Sequence, residues 1–285
     1  MSVVGIIGSG VMGKDVAVTC AASGYNVVLY DHDPGVLGAA EGDIRTLVRR
    51  YRMTAPEDPR WRDKGIPGRI RITDDMAEFA GADRIIENVV EDAAVKEEVH
   101  RELREVCGEG PLIAVNTSCV SITRLAALAA RPESVIGMHF MNPVPLIECV
   151  ELVRGHHTSD ETVKRAEGFV DSLGKRPVVV RDSPGFVSNR LSHLFMNEAA
   201  FLVQERVADP EQIDEIFTLG YGHKMGPLAT ADLIGLDTVV DSLRVLYEDL
   251  QDPKFRCCPL LKKMVDAGLT GRKSGQGFYT YGVSR

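Results

Sequence analysis

Val3-Val4-Gly5-Ile6-Ile7-Gly8-Ser9-Gly10-Val11-Met12-Gly13 decides the fold. An apolar, β-branched run passes without a break into G-x-G-x-x-G. A helical pattern over 11–23 follows and stops at Gly24, a residue suited to a left-handed cap. A second strand-like run, 27–30, ends in Asp31. Strand, glycine turn, helix, and strand with a terminal acid make up a dinucleotide-binding unit. Gly8 permits the tight turn, Gly10 lets a pyrophosphate approach the backbone, and Gly13 lets helix and strand pack closely. The amides of Val11, Met12 and Gly13 open the helix, where a phosphate finds free N–H groups and partial positive charge. Asp31 can accept hydrogen bonds from a ribose diol and repels a 2′-phosphate. The expected cofactor is therefore NAD rather than NADP.

Outward from this stretch, strand-like runs recur at 70–73, 84–87, 112–115, 134–138, 147–153 and 177–181, with helical patterns at 93–106, 121–130 and 160–173. Such alternation builds a parallel sheet with helices on both faces. The later strands crowd around a Pro-rich turn, so part of the sheet is expected to be antiparallel. After residue 182 the periodicity turns helical, as in Leu191, Leu194, Phe195, Ala199 and Leu202, and stays so to about residue 267. Asp182-Ser183-Pro184 reads as a helix start with proline at the first helical position. The expected fold is α/β: a Rossmann-type doubly wound domain over 1–182, then an all-helical domain over 183–285. No low-complexity linker separates the two, so a shared interface and cleft are expected.

Bulk composition excludes several classes of protein. Of 285 residues, 44% are hydrophobic and 26% charged, ordinary values for a soluble globular chain. No apolar run approaches the roughly 18 residues of a membrane span, and the N-terminus shows no basic flank or cleavage site of a secretory leader. The six cysteines form no C-x-x-C, which suits reduced thiols in a cytoplasmic protein and no metal site. A net charge of −8 argues against nucleic acid as a partner. Against that balance, Arg45 to Arg71 carries nine basic residues and three acids, a local +6. It is either a solvated face or a dock for an anionic ligand or partner.

The candidate chemistry sits in Gly137-Met138-His139-Phe140-Met141-Asn142-Pro143-Val144-Pro145. His139 falls at the C-terminal end of a strand, the sheet edge where ligands bind in open α/β folds. Glu151 follows twelve residues later in the next strand-like run. A hairpin centred on Pro145 makes His139 and Glu151 cross-strand neighbours. A carboxylate beside an imidazole fixes its tautomer and stabilises the imidazolium. That suits a histidine that accepts an alcohol proton while hydride leaves the same carbon.

With these motifs in order, the sequence resembles the 3-hydroxyacyl-CoA dehydrogenase family from end to end. The glycine motif with Asp31 matches the family's NAD site. Glu87-Asn88-Val89-Val90-Glu91 with Lys96 is similar to its acidic strand end and following helix, Asn116-Thr117-Ser118 to its N-T-S, and His139-Phe140-Met141-Asn142-Pro143 to its H-F-x-N-P. Pro184-Gly185-Phe186-Val187-Ser188-Asn189-Arg190 matches its P-G-F-x-x-N-R, and Met225-Gly226-Pro227 and Gly271–Tyr279 match turns of its helical domain. The resemblance implies His139 as general acid/base paired with Glu151, and Ser118 and Asn189 as catalytic and substrate-binding residues. It implies Asn142 as a substrate-positioning residue, and Glu91, Lys96, Asn116, Ser118 and Asn142 as further cofactor contacts. The implied activity is NAD-dependent dehydrogenation at C3 of an acyl thioester by a homodimer.

Two departures bear on the thioester carrier. Glu148 stands where relatives often carry lysine, and Thr54–Pro67 replaces a lysine-rich helical pair that covers the CoA arm. CoA is the first expectation for the carrier, with a short acyl group such as 3-hydroxybutyryl. The stretch Lys224–Leu233 is similar to members that serve polyketide extender-unit pathways, so an acyl-carrier-protein-bound, glyceryl-type substrate is the alternative. A β-hydroxyacid-type dehydrogenase needs a lysine three or four residues after the helix asparagine, where Ser192 and His193 stand. A non-catalytic NAD-binding protein has no evident need for the whole set of site residues.

Overall fold

The computed structural model describes residues 3–107 and 110–282. The chain divides into two compact units, Met1–Ser183 and Pro184–Arg285.

The first unit is a single eight-stranded sheet in the order β3-β2-β1-β4-β5-β6-β7-β8. The strands are β1 Val3–Ile7, β2 Asn26–Tyr30, β3 Ile70–Thr73, β4 Arg84–Glu87, β5 Leu112–Val115, β6 Val135–Phe140, β7 Cys149–Arg154 and β8 Arg176–Arg181. Every pairing is parallel except β6 with β7. The helices α1 (Val11–Ala22), α2 (Pro34–Thr54), α3 (Ala93–Cys107), α4 (Ile122–Ala126) and α5 (Asp160–Ser172) connect them. Ile6, Leu29, Ile86, Ala114 and Ile136 are fully or almost fully buried in one continuous core, each large aliphatic contributing about 1.5–3 kcal/mol by burial. From β1 the chain builds outward through β2 to β3, then returns to the other side of β1 at β4. The reversal opens a crevice between the C-terminal ends of β1 and β4, the place where such sheets bind ligands.

The long helix α2 does not show in the hydrophobic pattern. Pro34 occupies its first turn, and the Asp33 carboxylate accepts the amides of Gly35 and Val36. Its buried face is Ala40, Ile44, Val48 and Tyr51, spaced as helical neighbours, but glycines at 35, 38 and 42 blur the periodicity.

The second unit holds α6 (Ser188–Gln204), α7 (Pro210–Glu215), α8 (Pro227–Ile234), α9 (Leu236–Leu250) and α10 (Pro259–Asp266), with one π-helical turn at Ile216–Gly220. Met196, Ala200, Ala231, Leu236, Val239, Leu243 and Leu261 close its core. The expected helix start at Pro184 is corrected: α6 begins at Ser188. Gly185 and Phe186 take positive φ values of 71° and 50°, which no helix accommodates. Gly271–Tyr279 wraps a buried carboxylate, with the amides of Phe278 and Tyr279 both donating to Asp232 at 3.0 Å.

Candidate active site

At the crevice, the G-x-G-x-x-G residues have the shapes their chemistry requires. Gly8 sits at φ +91°, and a Cβ there would meet the Asn88 carbonyl oxygen at 2.7 Å. On Gly13 a Cβ would lie 1.7 Å from the Gly8 carbonyl oxygen, so helix and turn touch there. A Cβ on Gly10 would meet no protein atom within 4 Å. The approach it leaves room for is therefore from outside the chain, as a pyrophosphate cradle needs. Gly10 caps α1 with no side-chain bond to the first amides, which stay available to phosphate. A cavity of about 700 Å³ runs from Gly8 and Gly10 past Asp31 to Val95 and Val99 on α3.

Asp31 is held in place before any ligand arrives. Its Oδ2 accepts the Ser9 amide at 2.7 Å and the Ser9 hydroxyl at 3.0 Å, and its Oδ1 accepts the Asp33 amide at 3.1 Å. Partial burial works to raise its pKa, but these donors win and hold the carboxyl below the usual range. An ionised, oriented acceptor faces the cavity.

The reacting end follows from sheet register. Antiparallel pairing sets His139 opposite Glu151, and His139 Nδ1 lies 2.8 Å from Glu151 Oε2. Both side chains are buried, at 10% and 5% exposure. A carboxylate only accepts, so the network assigns the Nδ1 proton to that bond and makes Nε2 the basic nitrogen of the ring. Ser118 Oγ stands 3.2 Å from Nε2. The Ser118 loop is itself clamped: Glu91 Oε1 accepts Thr117 Oγ1 at 2.6 Å, the Ser118 amide at 2.8 Å and the Cys119 amide at 2.9 Å. Asn116 ties two edges together, donating to Asn88 Oδ1 at 2.8 Å and accepting the Phe140 amide at 3.1 Å.

The adjacent ends of β4, β5 and β6 thus gather Glu91, Asn116, Ser118 and His139 at one edge, with Glu151 behind. Lys96 does not point into the cavity: its side chain is fully buried, with Nζ donating to Glu87 Oε1 at 2.8 Å and to the Asn116 carbonyl at 3.1 Å. Asn142 is exposed just beyond β6. Asn189 lies in the first turn of α6 in the second unit, where its carbonyl accepts His193 Nδ1 at 2.9 Å. Lys175 went unnoticed in the sequence: its buried ammonium donates to the Val144 and Ile147 carbonyls, pinning the turn between His139 and Glu151. Burial pushes its pKa down to about 8. Among the described residues no His, Cys, Asp and Glu gather as a metal site.

The +6 stretch is largely spent within the chain. Arg45 pairs with Glu41, Arg60 with Asp58, Arg69 with Asp63 and Arg71 with Glu78. Arg52 donates to the carbonyls of Trp61 and Asp63. Arg62 donates to the Pro56 carbonyl, while Arg49, Arg50 and Lys64 make no ion pair among the described residues; Arg49 and Lys64 line, with Arg45 and Arg52, a groove of about 270 Å³.

A doubly wound sheet with a glycine cradle, an oriented ribose acceptor and a carboxylate-backed histidine at one edge defines a dinucleotide-dependent oxidoreductase. Residues 3–183 match the family described as "3-hydroxyacyl-CoA dehydrogenase, NAD binding domain", and 185–281 match its C-terminal domain. The chain belongs to the 3-hydroxyacyl-CoA dehydrogenase family, NAD-dependent enzymes acting on a CH–OH group. It is 45% identical to a probable 3-hydroxybutyryl-CoA dehydrogenase of Deinococcus radiodurans, over 97% of this chain and 99% of the relative. It is 35% identical to the mitochondrial hydroxyacyl-coenzyme A dehydrogenase of Sus scrofa, over 97% and 90%. The crystal structure of (S)-3-hydroxybutyryl-CoA dehydrogenase from Ralstonia eutropha superposes with a TM-score of 0.92 at 39% identity, covering 99% of each chain.

Proposed function

We propose that the protein interconverts a short 3-hydroxyacyl-CoA and the 3-ketoacyl-CoA, with His139 as general acid/base. The observation that carries this is the line Glu151–His139–Ser118, at 2.8 and 3.2 Å, on the sheet edge that also holds the glycine cradle. NAD bound in that cradle supplies the hydride acceptor for oxidation, and its reduced form the donor for reduction. During oxidation, His139 Nε2 takes the hydroxyl proton as the C3–H bonding pair departs as hydride. Glu151 stabilises the resulting imidazolium, and the proton returns in the opposite direction. Ser118 Oγ donates to the C3 oxygen in this reading, and the hydrogen bond from its backbone amide to Glu91 supports the loop. Asn142 and Asn189 are assigned to positioning the acyl thioester. CoA is favoured over an acyl carrier protein because four of the nine basic side chains pair with acids and two more donate to backbone carbonyls. What remains is a compact group of cations suited to phosphates, rather than a broad face suited to an acidic helix.

The helical unit is also proposed to form a homodimer. Leu191, Leu219 and Tyr221 are 63%, 78% and 71% exposed, apolar side chains that a partner subunit would cover. The deciding experiment presents one 3-ketoacyl group on CoA and on a carrier protein and follows NADH oxidation. Comparable kcat/KM on both carriers, or a preference for the carrier protein, overturns the CoA reading.

A further inference from the structure

Below the Ser118 loop lies a set of ionisable side chains that no step of the reaction touches. Glu87 ends β4, and Lys96 and His100 stand one turn apart on α3; all three are fully buried. Glu87 Oε1 is well served, accepting Lys96 Nζ at 2.8 Å and the Val89 amide at 2.7 Å. Glu87 Oε2 has no hydrogen-bond partner among the described residues, and neither ring nitrogen of His100 has one. The two orphans face each other, with His100 Nε2 3.9 Å from Glu87 Oε2. Buried polar groups are rarely left this way, because each unmet group keeps its full desolvation penalty. At 3.9 Å the pair stands just beyond hydrogen-bonding distance.

We propose that His100 is a positioning residue: its Nε2–H donates to Glu87 Oε2 and completes a buried Lys96–Glu87–His100 network that fixes the catalytic edge. The imidazole is neutral there, since burial and the neighbouring Lys96 push its pKa down to about 4, and a neutral ring has one N–H to place. The consequences run outward through bonds already described. Lys96, oriented by Glu87, holds the Asn116 carbonyl at 3.1 Å. The Asn116 side chain holds the amide of Phe140, next to His139, and Ser118 follows two residues on. A Glu87 carboxylate with nothing to hold its Oε2 is freer to turn, and Lys96 turns with it. Reaction geometry is sensitive to displacements well under an ångström. A merely space-filling His100 would instead tolerate an apolar side chain with no kinetic penalty.

This rests on the reading of His139 and Ser118 as the reacting pair. Its test compares His100→Leu, which removes the donor, with His100→Gln, which keeps an N–H near the Nε2 position. With saturating NADH and 3-ketoacyl-CoA, His100→Leu should lower kcat about three- to tenfold, the worth of one net hydrogen bond. KM for NADH should not change, and His100→Gln should restore most of the loss. Nitrogen-15 NMR of the wild-type enzyme should show a single neutral His100 tautomer with the proton on Nε2. Wild-type kcat in His100→Leu, no rescue by His100→Gln, or a proton on Nδ1 overturns the proposal; if His100→Leu does not fold, the tautomer decides alone. The NMR result does not depend on the catalytic reading, which fails separately if His139→Gln keeps its turnover.

Discussion

His139 and Glu151 face each other across the only antiparallel pair of the sheet among the described residues, Nδ1 to Oε2 at 2.8 Å. The bond selects the tautomer and would supply a counter-charge to the imidazolium of the proposed reaction. Glu151→Gln keeps the shape and removes the charge. It should lower kcat roughly 10- to 1,000-fold with KM for NADH unchanged. Steady-state kinetics checks this; a variant within twofold of wild type would mean that Glu151 serves only the fold.

Asp31 should set cofactor choice. A charged hydrogen bond to the ribose is worth roughly 1.5–3 kcal/mol, about tenfold to a hundredfold in kcat/KM for NADH over NADPH. Asp31→Ala should lose most of that preference. Equal kcat/KM for both cofactors in the wild type would refute the assignment.

His100 makes stability depend on pH. The unfolded chain binds its proton near the ordinary 6.5 and the folded chain only near 4. Between those values the unfolded state holds more protons, so stability falls as pH falls, by roughly 3 kcal/mol at the acid end. Glu87, its pKa raised by burial, works the other way, so the informative comparison is wild type against His100→Leu. Urea midpoints from pH 7 to pH 4 should fall less steeply in the variant. Parallel curves would show that His100 does not titrate as its burial requires.

Arg49 and Lys64 should carry any carrier selectivity. Because Arg52 props the 59–63 turn through two carbonyls, reversing it would damage the turn itself. Arg49→Glu with Lys64→Glu should raise KM for the CoA substrate about tenfold at low salt, less at high salt. NADH affinity should not change. An unchanged KM at low salt would make the groove a solvated face.

Much of this site was legible in the sequence because it depends on backbone geometry. The glycine turn fixes a strand–helix join that few other residues allow, and twelve residues about Pro145 fix the His139–Glu151 register. What escaped notice depends on tertiary pairing. α2 hid behind three glycines in its first half, and the start of α6 moved four residues past Pro184 because Gly185 and Phe186 turn left-handed. Lys96 matched a cofactor motif but points inward to Glu87. Nothing in the sequence marks His100 as buried except its spacing of four from Lys96. The local +6 left a solvated face and an anionic dock both open, and four of its arginines have acidic partners.

In the proposed reaction His139 moves the proton while NAD takes or gives the hydride at the same edge of the sheet. The most direct measurement is kcat of His139→Gln with NADH and a short 3-ketoacyl-CoA, beside NADH affinity by calorimetry and folding by circular dichroism. A roughly 10²- to 10⁴-fold fall in kcat is expected, with NADH affinity and the folded spectrum unchanged. A folded variant that binds NADH and keeps more than about half of the wild-type kcat, far above the loss expected for a missing acid/base, would contradict it.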